Sequence, residues 1–233
     1  MHFLKQILLS AALIPCAAFA KTTQPTGQTT AQSFTFENLK EIVASKDLRS
    51  VSDVVPYLPE EYRKSFTLMH KSRSIQRSSA EAPRAILFGN DAKMVMSFNG
   101  DPNDAGYDRL EVMEFKDDTE KFEFKFIYFA DKETKAEVID SPMNCVGCHG
   151  MIPSDLHPDW DVGLVWRGAY GSQDDTFAET QLDPNLKEEA AAYTQFLGGV
   201  SQHDRYKHLD FTKPLDTTPK DEVESRPNLR LGL

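Results

Sequence analysis

Two cysteines and a histidine in the second half of the chain are the residues whose types and spacing best suit chemistry. They form the sequence Cys145-Val146-Gly147-Cys148-His149. Two thiols at this spacing can add to the two vinyl groups of one haem, and the imidazole that follows can bind the iron as an axial ligand. The pattern therefore predicts one covalently bound haem c, with Cys145 and Cys148 as the thioether residues and His149 as the proximal ligand.

Other uses of the same residues have to be weighed against haem attachment. A C-x-x-C pair can be a thiol–disulfide redox centre, but that role expects a strand-to-helix context and gives no reason for the adjacent His149. Structural zinc needs three or four ligands, and the sequence has no second cysteine pair. A non-haem interaction protein with a Cys145–Cys148 disulfide is the remaining alternative. All three alternatives stay open at the level of the sequence.

The sixth ligand of the iron is left open between three downstream histidines, His157, His203 and His208, and a vacant position. Met151 is too close to His149 in the sequence to reach the opposite face of the haem. A Met or His ligand would favour single-electron transfer, which is the leading hypothesis. A vacant position would instead suit a haem-based ligand-binding or sensor module. Peroxide turnover, the enzymatic alternative, would need a distal His or Arg.

The N-terminus indicates export. Residues Met1 to Ala20 are typical of a secretory signal peptide, with Lys5 before an apolar run from Ile7 to Ile14 and a small-residue cleavage site at Ala18-Phe19-Ala20. The apolar run is too short to span a membrane. Cleavage removes Cys16, so both remaining cysteines lie in the motif. We therefore expect a periplasmic protein without a membrane span, in the compartment where bacteria attach c-type haem.

The charge of the chain is acidic. It has 26 basic and 36 acidic side chains and a formal net charge of −10. Loss of Lys5 with the signal peptide would leave 25 basic side chains against 36 acidic ones, a net charge of −11. This balance disfavours nucleic acid and anionic lipid as partners. It suits a basic redox protein as a partner, although it also serves solubility alone.

The elements that must position the motif follow from hydrophobic periodicity. Phe34 to about Ser65 has helical spacing, and beyond it the period changes to two, most clearly at Phe122, Phe124 and Phe126. Strands are predicted at Arg84–Phe88, Lys93–Phe98, Arg109–Phe115, Lys121–Phe129 and, more briefly, Ala136–Ile139. The sequence thus predicts an α+β fold, with N-terminal helices packed on a four- to five-stranded antiparallel meander, followed by a haem-motif loop and C-terminal helices.

The expected organisation has five parts. They are a signal peptide at 1–20, a disordered leader at 21–33, a helix-plus-sheet domain at 34–140, a C-x-x-C-H region with a Trp-rich loop and helices at 141–211, and a polar tail at 212–233. Within the fourth part, a Trp-rich loop is expected over Met151–Asp175. A helix is expected to begin at Asp183-Pro184 and end at Gly198-Gly199, and a second short helix to include His203 to Leu209.

Over roughly Leu58 to Asp175 the chain resembles a group of uncharacterised exported bacterial proteins. The resemblance is carried by Leu58-Pro59, Ser72-Arg73-Ser74, Pro83-Arg84, Phe98-Asn99-Gly100, Leu110-Glu111-Val112, Cys145–Gly150 and Gly168-Ala169-Tyr170-Gly171-Ser172. It implies a strand-rich domain joined to one C-x-x-C-H-G motif and a Trp-bearing G-x-Y-G-S loop, and it implies no activity. It also implies a further helix starting near Arg226, so a shortened C-terminus is expected. The motif itself resembles the haem attachment site of c-type cytochromes.

Overall fold

The structure, a computed structural model, describes residues 33–72, 74–150, 156, 168–170 and 184–212, with the backbone alone for 184–190. The expected signal peptide, nearly all of the expected leader, most of the Trp-rich loop and the tail beyond residue 212 lie outside these residues. From Phe34 onward the described residues belong to one compact unit. The expected boundary between residues 140 and 141 stays a prediction.

Short helices occupy the stretch that has helical spacing. They are α1 (Phe36–Ser45), α2 (Val51–Val54), a 3₁₀ helix (Val55–Tyr57) and α3 (Glu60–Lys64). Helix α1 begins where it does because Thr35 accepts a hydrogen bond from the backbone N–H of Asn38, while the Asn38 side chain accepts one from the Thr35 N–H. Its buried residues Phe36, Leu39 and Val43 recur at helical spacing and form one apolar side.

Six antiparallel strands follow, and each pairs with the next strand along the chain. They are β1 (Phe66–Met69), β2 (Arg84–Leu87), β3 (Met94–Phe98), β4 (Arg109–Lys116), β5 (Lys121–Tyr128) and β6 (Glu137–Asp140). The α+β class is therefore confirmed. The sheet has one strand more than the upper expectation of five, because β1 is buried at all four positions and shows no polar alternation.

The sheet has two covered faces, and strand alternation assigns each side chain to one of them. The first face packs against α1, α2 and α3, and its buried side chains include Leu68, Leu87, Met96, Leu110 and Ile127. The second face carries a smaller cluster that includes Met69, Ile86, Val95, Met113 and Phe124. On β5, Phe124 belongs to the second face and Ile127 to the first, as the period of two requires.

In the described part of the chain after the sheet, two α-helices are present. The first, α4 (Met143–His149), contains the C-x-x-C-H motif, so the expectation of a haem-motif loop was wrong. Pro142 has a fixed extended conformation before the first turn, and Gly150, at φ 140°, ends the last one. The second, α5 (Pro184–Gly199), has the expected bounds and packs Tyr193 and Phe196 into the first-face cluster.

The chain after α5 differs from its expected form. A 3₁₀ helix (Val200–Gln202) follows directly, and residues 204–208 form turns where a second helix was expected. Tyr206 and Leu209 are buried in the first-face cluster. The turns bring both side chains to the core, so packing overrides the helical spacing of this short segment.

Candidate functional site

Helix α4 brings the three motif side chains to one side of a short helix. Cys148 and His149 are three and four residues after Cys145, so the three directions fall within an arc of about 100° at 3.6 residues per turn. Val146 is buried and fastens the helix to the second face of the sheet. The helix fixes the relative directions of both thiols and the imidazole, whereas a loop would leave these directions variable.

His149 lies against the sheet. Its ring stacks on the ring of Phe124 in β5, with 4.4 Å between the centroids and 28° between the planes. Cys145 packs at the edge of the same apolar cluster and is half-buried, whereas Cys148 is exposed. One thiol therefore faces the protein and the other faces solvent, and the His149 imidazole is oriented by an aromatic side chain.

The two thiols are free and differ in chemistry. Burial raises the pKa of the Cys145 thiol to about 11, and the negative charge of Glu111 acts in the same direction. A thiol–disulfide centre works through a thiolate, which these surroundings oppose at Cys145. The strand-to-helix context that such a centre expects is nevertheless present, since β6 ends at Asp140 and α4 begins at Met143.

A partly buried group of polar and charged side chains lies on the second face beside the motif helix. We call Arg84, Ser97, Arg109 and Glu111 the arginine–glutamate cluster. Arg84 Nη2 donates to Glu111 Oε2 at 2.9 Å and to Ser97 Oγ at 2.7 Å, and Ser97 Oγ donates to Glu111 Oε2 at 3.1 Å. Arg84 Nε also donates to Gln76 Oε1 at 3.2 Å. The Arg84 and Glu111 side chains are only 17% and 12% exposed.

Strand register places this cluster next to the motif helix. One cross-strand row on the second face runs through Ile86, Ser97, Glu111 and Phe126. The neighbouring row runs through Val95, Met113 and Phe124, the ring on which His149 stacks. Adjacent rows on one face lie two residues apart along each strand, roughly 7 Å. The charges of Glu111, Arg84 and Arg109 all act on the Cys145 thiol at this range.

Two atoms of the cluster have unused hydrogen-bonding capacity. Glu111 Oε1 and Arg109 Nε are buried and have no hydrogen-bond partner in the described part of the chain. The Arg109 guanidinium instead lies over the ring of Phe126, with 5.3 Å between its central carbon and the ring centroid. A buried polar atom without a partner costs about 1–3 kcal/mol, so the cluster is not explained by stability alone.

The residues of α4 fit a c-type haem by the chemistry of their donor set. Both thiols are free to form thioether bonds, and the imidazole is on the same side of the helix. Across the described ranges, no three His, Cys, Asp or Glu side chains group as metal ligands. A c-type haem does not require such a group, because two thioether bonds and one ring hold it.

The structure does not bring His203 together with His149. His203 Nε2 lies 3.2 Å from the carbonyl oxygen of Gly100, and its ring is 4.2 Å from that of Tyr206, which belongs to the first-face cluster. Burial lowers the pKa of His203, as it does that of His208. His157 lies outside the described residues. The sixth ligand therefore stays a prediction.

The sequence pattern did not reveal the arginine–glutamate cluster beside the motif helix. A signal for the cluster was present in β4, where Glu111 occupies the same alternation as Met113 and so faces a covered surface. A charged residue at such a position needs a partner, and the strand pattern alone does not name it.

Comparisons with known proteins do not assign the chain to a family. No protein-family model matches it, and neither the curated proteins nor the solved structures compared show a significant match. Of the helices described, none has the length and apolar character needed to cross a bilayer. The features of the molecule that bear on function are therefore the motif helix and the sheet face on which it packs.

Proposed function

We propose that the protein is an exported monohaem c-type protein that transfers single electrons in the periplasm. The observation that carries the proposal is the placement of Cys145, Cys148 and His149 on one side of α4. The helix-covered meander would serve as the rigid frame, and the signal peptide would deliver the chain to the compartment of haem attachment. The acidic net charge would favour a basic redox protein as the electron partner.

Each residue of the motif has a defined task. The Cys145 and Cys148 thiols add across the two vinyl groups, so that each sulfur forms a bond to carbon and its hydrogen passes to the adjacent vinyl carbon. This addition consumes no oxidant or reductant. His149 binds the iron, and Phe124 limits the rotation of its ring. When bound, the haem supplies a one-electron couple.

A haem-based ligand-binding module is the second candidate. The observation in its favour is the arginine–glutamate cluster, because buried hydrogen-bonding groups beside a haem stabilise small bound ligands. The two candidates differ in the sixth position of the iron. A five-coordinate iron that binds carbon monoxide in the purified protein would favour the second candidate, whereas a six-coordinate iron would favour electron transfer.

Expression in the periplasm with the cytochrome maturation machinery tests the proposal. We expect a pyridine haemochrome spectrum of haem c and an intact mass that corresponds to one haem per chain. The double variant Cys145→Ala/Cys148→Ala should lose the covalent pigment. Gly147→Ala is the matched control in the same helix, because a Cβ at this position meets nothing within 4 Å, and it should keep the pigment.

Two results would overturn the proposal. The first is a colourless protein from a host that matures a control cytochrome in parallel, which would favour the non-haem interaction protein with a Cys145–Cys148 disulfide. The second is covalent pigment in the double cysteine variant, which would show that the attachment site lies elsewhere.

A further inference from the structure

We propose that the arginine–glutamate cluster sets the reduction potential of the haem held by α4. This inference rests on the proposed function, and it assigns a role to residues outside the C-x-x-C-H motif. The three charged residues of the cluster, Arg84, Arg109 and Glu111, act on the iron through their charge and not as ligands, so these three are tuning residues of the cofactor site.

The cluster lies close enough to α4 for its charge to act on a group bound to this helix. Glu111 is two residues from Met113, and Arg84 is two residues from Ile86; both apolar neighbours belong to the cluster that holds Val146 and Cys145. The ion pair spans β2 to β4 through Ser97 of β3, so it is built into the sheet and cannot move away from α4. A group attached through Cys145 would therefore sit beside a rigid charge distribution.

The sign of the effect follows from the charges. Two guanidinium groups and one carboxylate give the cluster a net charge of +1. Reduction of a ferric haem removes one positive charge from the iron, so a positive environment favours the reduced state and raises the potential. Glu111 opposes the two arginines. Partial burial reduces the screening of these charges by water and salt, which makes the effect larger than for fully exposed charges.

A structural role alone explains the cluster poorly. Buried ion pairs add little to stability, and apolar replacements of similar volume are often neutral. The neighbouring row on the same face uses such apolar residues, Val95, Met113 and Phe124. Retaining two arginines and a glutamate in the adjacent row, with one oxygen and one nitrogen lacking hydrogen-bond partners in the described part of the chain, is better explained by a requirement for charge.

Potentiometric titration of the matured haem protein tests the inference, with dithionite as reductant and ferricyanide as oxidant. Glu111→Gln makes the cluster more positive, so its potential should be more positive than that of the wild type. Arg109→Gln should have a more negative potential. We expect each change to alter the reduction equilibrium about tenfold, which is about 59 mV for one electron.

Two controls separate charge from structure. Ser97→Ala removes a hydrogen-bonding partner of the ion pair and leaves the charge unchanged, so its potential should stay near that of the wild type. Glu114→Gln removes a buried carboxylate from the same strand, but Glu114 faces the first side of the sheet and accepts from the backbone N–H of Phe36. Its shift should be clearly smaller than that of Glu111→Gln.

The outcomes distinguish this inference from the proposed function. A wild-type protein without covalent haem overturns both. A haem protein in which Glu111→Gln and Arg109→Gln shift the potential in the same direction, or no more than Glu114→Gln does, overturns the tuning role alone. Arg109 has no ion-pair partner among the described residues, so Arg109→Gln supplies the test even if Glu111→Gln fails to fold.

Discussion

The two faces of the sheet are built differently although they share the same six strands. The first face is covered by α1, α2, α3 and α5, and most of its side chains are fully buried apolar or aromatic groups. The second face has a smaller apolar cluster, the seven-residue helix α4 and a partly buried ion pair among the described residues. The fold therefore places its larger apolar core on one face and the two thiols and the charged cluster on the other.

The largest expected effect is on stability at the first face. Leu110 is fully buried there, so Leu110→Ala removes buried methyl groups and leaves a cavity. We expect a loss of about 2–5 kcal/mol in the free energy of unfolding, measured by urea denaturation. Val146→Ala on α4 removes fewer atoms beside the smaller cluster and should cost less. An equal or greater loss for Val146→Ala would contradict the division between the faces.

The second expected effect is a difference in thiol reactivity within α4. Because the pKa of the Cys145 thiol is raised to about 11, roughly one part in a thousand of it is thiolate at pH 8. Iodoacetamide should therefore label the exposed Cys148 first in the haem-free protein, as peptide mass spectrometry can show. Labelling of Cys145 should accelerate as the pH rises toward its pKa. Faster labelling of Cys145 at pH 8 would show that its side chain does not face the sheet.

The third effect concerns a glycine that packs against the first-face cluster. A Cβ at Gly100 would lie 2.7 Å from ring carbons of Tyr206, whose hydroxyl donates to the carbonyl oxygen of Pro83. Tyr206 is fully buried and cannot swing away, so Gly100→Ala should cost about 1–3 kcal/mol in the free energy of unfolding. A neutral result in thermal denaturation would mean that Tyr206 is not held as rigidly as its contacts indicate.

The smallest effect has the opposite sign and lies in the motif helix. Gly147 is in the middle of α4 with open space around it, so Gly147→Ala should lower the conformational freedom of the unfolded chain without a clash. We expect about 0.5–1 kcal/mol of stabilisation in the same denaturation experiment. Destabilisation would indicate that a group outside the described residues approaches the helix at this point.

Hydrophobic periodicity in the sequence predicted the helices and strands whose buried side chains repeat with the period of the element. The spacing of Phe36, Leu39 and Val43 and the alternation along β5 depend only on the period of a helix or a strand. Strand β1 was missed because a fully buried strand has no alternation to detect. The motif helix was missed because its seven residues are held by Val146 against the sheet and not by a repeating pattern.

The candidate site also has one part that the sequence predicted and another part that depended on tertiary contacts. The amino-acid sequence alone predicted the chemistry of the motif, since two thiols and an imidazole at this spacing have few uses. The surroundings of the motif depended on tertiary contacts. Arg84 and Glu111 are 27 residues apart and meet only because β2, β3 and β4 pair in one register. Register is a property of the packed sheet. The partial burial of the Arg84–Glu111 ion pair near Cys145 therefore could not be derived from local periodicity.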